Sequence, residues 1–81
     1  MKARVFVSLK PTVLDPQGKT VQAALAGLGY HDIAAVRQGK FFDITLAEGA
    51  DPAQARKDIE VIAHEVLCNP VIEEYRVEFP D

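Results

Sequence analysis

Between Ala3 and Lys10 apolar and polar positions alternate, with Ala3, Val5, Val7 and Leu9 on one side and Arg4, Phe6, Ser8 and Lys10 on the other. A period of two predicts a strand with one buried face. Pro11 ends it, because proline has no N–H to give to a ladder. Asp15-Pro16 then predicts a helix start: the Asp15 carboxylate accepts free amides of the first turn, and proline suits the first helical position. Val21, Leu25 and Leu28 follow at helical spacing with Ala24 beside them, and Gly29 is a natural left-handed terminator.

Residues 33–46 are rich in β-formers, and Phe42, Ile44 and Leu46 alternate with Phe41, Asp43 and Thr45. Gly39 breaks the stretch and admits two readings. A two-residue turn at Gln38-Gly39 sets Phe42 opposite Ala35 and Ile44 opposite Ile33 in a hairpin. A bulge at Gly39 makes one long bent strand instead. The pattern leaves both open.

Asp51-Pro52 repeats the aspartate-proline start, and Ala55, Ile59, Ile62, Ala63, Val66 and Leu67 recur at i, i+4, i+7, i+8, i+11 and i+12, the strongest helical signal in the chain. Asn69-Pro70 closes that helix, since the residue before a proline avoids helical geometry. Val71 to Phe79 alternates again, with Glu73 as the one charged residue on the apolar side. The order β-α-β(β)-α-β predicts an α+β, two-layer, ferredoxin-like sandwich in which both helices cover one face of a mainly antiparallel sheet. The other face presents Phe6, Phe41 and Ile72 among charges, too apolar for a face meant only for water, and is expected to mediate self-association.

Size sharpens this expectation. A chain of 81 residues has room for one core, so residues 1–81 are read as a single domain, and domains of this size often draw stability from disulfides, metals or association. Cys68 is the only cysteine, which excludes an internal disulfide and a cysteine-rich zinc site. Association remains. A net charge of −3 argues against a general nucleic-acid binder, and neither a signal peptide nor a run of about 18 apolar residues is present, so a cytoplasmic protein is expected.

Chemistry is sparse. The glycine-rich phosphate loops GxxxxGK[ST] and GxGxxG are absent. His31 and His64 lack the spacing of a metal pair. Cys68 has no base beside it, and Glu73 and Glu74 point to opposite faces of a strand. No catalytic residue and no metal ligand is therefore assigned. The polar residues of the turns and strand ends stand out instead: Lys10, Asp15, Gln17, Gly18, Arg37, Gln38, Gly39, Lys40 and Asn69. Turns on a rigid sheet commonly carry binding.

Those turns, LKPTVLDPQG at 9–18, VRQGKFFDITL at 36–46 and NPVIEEY at 69–75, resemble the PurS family, the small subunit of phosphoribosylformylglycinamidine synthase in purine biosynthesis. The resemblance spans nearly the whole chain. It implies a non-catalytic subunit, a homodimer or homotetramer, that bridges a glutaminase subunit to a synthetase subunit and supports ammonia transfer between them. It also implies a complex that uses ATP and Mg, neither bound by this chain. Lys10, Asp15, Gln17, Gly18, Arg37, Gly39, Lys40 and Asn69 are then the expected partner contacts. The alternative on the same fold is a dimeric regulatory module that binds a small molecule.

Overall fold

The computed structural model describes residues 1–80. Three strands and two helices follow in the order β1 (Lys2–Leu9), α1 (Pro16–Gly27), β2 (Gly39–Thr45), α2 (Pro52–Ile62) and β3 (Glu73–Glu78), and a π-helical turn, Ala63–Leu67, continues α2. The sheet order is β2-β1-β3, antiparallel throughout. The first strand is central, which suits the β-formers Val5, Phe6 and Val7 in its middle. Val5 lies between Phe42 and Val77, and Phe6 between Phe41 and Arg76, so the alternation predicted for each strand is in phase across all three.

The inner face carries the core. Ala3, Val5 and Val7 pack with Ile59, Ala63 and Cys68, and Phe42, Ile44, Tyr75, Val77 and Phe79 close around them. Burying a side chain such as Ile59 contributes about 1.5–3 kcal/mol. The π turn decides which residues of the second helix join in. Burial runs Ala55, Ile59, Ala63 and then Cys68, because the wider turn carries Cys68 onto the buried line while Val66 stays 73 % exposed. The helical stripe predicts Val66 and Leu67 there; Leu67 does pack, half-buried, against the core.

Both aspartate-proline helix starts are as expected. The Asp15 carboxylate accepts the Gly18 N–H and that of Asp51 accepts the Ala53 N–H. Past its start, α1 departs from expectation. Gly18 is its only buried residue, while Val21 and Leu28 are exposed and Leu25 is half-buried. Only α2 buries side chains against the sheet; the expectation that both helices do so is corrected. A helix far from the sheet makes the chain long, with extents of 51 × 27 × 14 Å and a radius of gyration of 16.3 Å. A compact domain of this length measures about 12 Å.

Residues 33–38 form neither the hairpin nor the bent strand. The second strand begins at Gly39, paired with Ser8, and no strand is formed before it. A hairpin is blocked because the Gln38 N–H is donated to Asp15 and the Arg37 guanidinium is spent on the Lys10 carbonyl, which turns the segment toward α1. The closing strand is shorter than predicted. Ile72 sits in the turn before it, where its carbonyl accepts the Lys10 N–H, so it is not part of the outer strand face.

Candidate functional site

Asp15 organises one end of the molecule. It is 4 % exposed, and its two oxygens accept the Gly18 N–H at 2.9 Å and the Gln38 N–H at 2.7 Å. A single carboxylate thus caps α1 and fastens the strand entrance 23 residues later. Those amides, Gln38 foremost, with help from the nearby Arg37 charge, hold its carboxyl below the usual aspartate range despite the opposing effect of burial. Gly18 permits the approach: a Cβ there would overlap the Val36 carbonyl oxygen. A Cβ on Gly39 would come within 2.8 Å of the Val7 carbonyl oxygen. The two glycines are sites of close backbone contact, a role their sequence context does not reveal.

The other turn residues gather around this anchor. The Gln38 side-chain amide donates to Gln17 at 2.9 Å, and Arg37 donates to the Lys10 carbonyl at 2.8 Å. Lys40 stands 4.0 Å from Glu73, whose other oxygen accepts the Asn69 N–H at 2.7 Å. All eight residues expected to meet partners therefore lie at one end of the sheet, some distant in sequence. Between them is an open cleft of about 260 Å³ lined by Ser8, Asp15, Gln17, Gln38, Lys40 and Glu73 among others. Glu73 was not among the expected residues. Its signal was present: a lone carboxylate on an apolar strand face, four residues after an asparagine that ends a helix.

The outer sheet face is the second surface. The Phe6 and Phe41 rings stand 5.9 Å apart, with the Arg76 guanidinium 4.3 Å from the centre of the Phe6 ring and that of Arg4 5.1 Å from the centre of Phe41. Arg4 in turn donates to Asp43 at 2.6 Å, and Arg76 pairs with Glu78. An arginine thus stands over each ring, and Phe41 remains 55 % exposed. Aromatic and arginine side chains together are enriched at protein interfaces.

Two titratable side chains of the inner face are shifted away from their reactive forms. Burial, then the nearby Glu73 charge, pushes the Cys68 thiol up, away from the reactive thiolate. Burial and Glu60, 3.4 Å away, push the Tyr75 hydroxyl up as well. Among the described residues, no three His, Cys, Asp or Glu side chains converge as metal ligands. What the arrangement offers is shape, exposed charge and backbone, which suits contact with other proteins.

Comparison with known proteins places this geometry. Residues 2–81 match the PurS family, described as phosphoribosylformylglycinamidine (FGAM) synthase. The chain is similar to the phosphoribosylformylglycinamidine synthase subunit PurS of Bacillus subtilis, at 43 % identity over 95 % of this chain and 89 % of the relative. The PurS of Synechocystis is also 43 % identical, over 93 % of this chain and 74 % of its own. Among solved structures, PurS of Methanocaldococcus jannaschii, one of the subunits of formylglycinamide ribonucleotide amidotransferase in the purine biosynthetic pathway, aligns with a TM-score of 0.81 at 35 % identity, covering 95 % of this chain and 92 % of that one. A chain of the PurLQS structure from Thermotoga maritima aligns with a TM-score of 0.80 at 29 % identity, covering 95 % and 93 %.

Proposed function

This chain belongs to the PurS family, a subunit of phosphoribosylformylglycinamidine synthase in purine biosynthesis, and from that premise we propose that it is a self-associating, non-catalytic bridge between the glutaminase and synthetase subunits of that enzyme. The observation that carries the reading is the match over residues 2–81, set beside a fold that extends 51 Å and leaves one helix bare. A bridge needs surfaces rather than a nucleophile. The Asp15 end, with Lys10, Gln17, Gly18, Arg37, Gly39, Lys40 and Asn69, is the proposed contact with the larger subunits. Phe6 and Phe41 are the proposed contact between assembled copies; Ile72, being in the turn, is left out.

The bridge acts by proximity. Ammonia released at the glutaminase is a dilute and easily protonated reactant in bulk water, and a fixed short path to the synthetase raises its effective concentration. In this reading ATP and Mg are used by the synthetase, not by this chain, and the complex works in the cytoplasm. Among the described residues, no helix is long and apolar enough to cross a membrane.

Reconstitution tests the proposal. The glutaminase and synthetase subunits are mixed with glutamine, Mg-ATP and formylglycinamide ribonucleotide, with and without this chain, and amidine formation is measured. The bridge predicts that omission abolishes glutamine-dependent turnover. Unchanged turnover on omission rejects it.

A further inference from the structure

The Asp15 end of the molecule sorts its charges by depth. Its carboxylates face inward: Asp15 spends both oxygens on the Gly18 and Gln38 N–H groups, and Glu73, its side chain 18 % exposed, accepts the Asn69 N–H. Its cations stay nearer the surface, with Arg37 and Lys40 exposed and Lys10 half-buried. The Arg37 guanidinium donates to the Leu9 and Lys10 carbonyls, which occupies donors without neutralising the charge. Among the described residues, no carboxylate forms an ion pair with Arg37 or Lys10, and Lys40 reaches Glu73 only at 4.0 Å with 56 % of its side chain exposed. Glu74, the exposed carboxylate next in the chain, points to the opposite face of the sheet from Glu73.

Elsewhere the signs are mixed. At the opposite end of the sheet Arg4 donates to Asp43, and Lys2 shares the surface with Glu48 and Asp51. On α2, Lys57 neighbours Asp58. The cations of the Asp15 end are also held in place. Arg37 is fixed by its two carbonyls, and the Lys40 ammonium lies 5.8 Å from the centre of the Phe42 ring. Side chains already positioned lose little freedom when they bind.

We propose that the Asp15 end docks on an acidic patch of a larger subunit, with Lys10, Arg37 and Lys40 as the cations that steer and orient the approach. This rests on the bridging role proposed above and names the chemistry of one of its contacts. The occupant is a protein surface because the chain's own net charge of −3 repels an extended polyanion such as nucleic acid, whereas a local patch of carboxylates meets this end alone. A single sign of exposed charge at one end also selects the orientation, since the mixed surfaces elsewhere gain less from the same patch.

Association kinetics of the full chain with the glutaminase and synthetase subunits, singly and together, test this between about 50 mM and 500 mM sodium chloride, where screening shortens the reach of exposed charge. Expected is an association rate constant that falls about tenfold or more across that range for at least one larger subunit, with dissociation little changed. Lys10→Gln with Lys40→Gln should lower the low-salt rate constant about fivefold and flatten its salt dependence. Lys10→Arg with Lys40→Arg should restore both, and Lys57→Gln should alter neither. Circular dichroism checks that each variant is folded, and if the glutamine pair is not, the salt series on the parent chain decides. Association that ignores salt, while omission of the chain still abolishes glutamine-dependent turnover, overturns the acidic contact and leaves the bridge standing. No association with either larger subunit at any salt, with turnover unchanged on omission, overturns both.

Discussion

The two helices begin alike and end differently. Each starts with an aspartate cap followed by proline, and each carries apolar residues at helical spacing. In α2 and the π turn after it the stripe reaches the core through Ala55, Ile59 and Ala63, though Ile62 and Val66 stay exposed; in α1 no apolar side chain of the stripe is buried, and Leu28 at its end is 74 % exposed. Periodicity therefore reports that a face is apolar, and the rest of the chain decides whether anything in it covers that face. What separates them here is the route of the chain. Asp15 pins α1 by its first turn and holds Gln38 beside it, so the helix leaves the sheet, whereas the π turn after α2 returns the chain to the inner face through Cys68.

The largest effect expected from this contrast lies in the core. Ile59→Ala should cost about 2–5 kcal/mol of stability in urea unfolding. Leu28→Ala, measured where the chain is dilute enough to be single, should change it by no more than about 0.5 kcal/mol. Similar losses at the two positions would erase the distinction between the helices. Next comes the anchor of α1. Gly18→Ala forces a Cβ into the Val36 carbonyl and should lower stability by about 1–3 kcal/mol. Gly27→Ala has nothing within 4 Å and should raise it by about 0.5–1 kcal/mol. A melt of each variant decides, and the same sign for both would count against the close contact.

Acid should then loosen α1 before it loosens α2. The Asp15 carboxyl is held below its unfolded value, so its contribution is fully present above the ordinary aspartate pKa and is lost as pH falls through the lower folded one. Asp15→Asn should flatten that acid limb, read as the unfolding midpoint followed from about pH 5 to pH 2. An unaltered acid limb would mean that Asp15 does not hold this end together. The smallest effect belongs to the outer face. Phe6→Glu with Phe41→Glu should leave folding intact, because both rings lie on the outer face away from the core, and should lower the light-scattering mass of the isolated chain. A mass equal to that of the parent would remove that face from self-association.

Much of this was legible beforehand. Alternation located all three strands and put Val5, Phe42 and Val77 on one face, since a period of two admits only one inward set. The aspartate-proline pairs located both helix starts. The turns that carry the family resemblance, 9–18, 36–46 and 69–75, also held all eight expected contact residues that the fold gathers at the Asp15 end. Three features were not legible. The fate of residues 33–38 depended on where one carboxylate, Asp15, spends its second oxygen. The burial of Cys68 in place of Val66 depended on a π turn that strict helical spacing does not express. On the proposed self-association, the exposure of α1 depends on a second copy, which the pattern of one chain does not display.

That last dependence is the centre of the account, and the light-scattering mass of the isolated chain carrying Leu25→Glu and Leu28→Glu tests it most directly. The prediction is a fall from at least two chains to the mass of one, with the circular dichroism of the sheet and α2 unchanged. An assembly mass equal to that of the parent would contradict it, and would leave the bare face of α1 without a role in association.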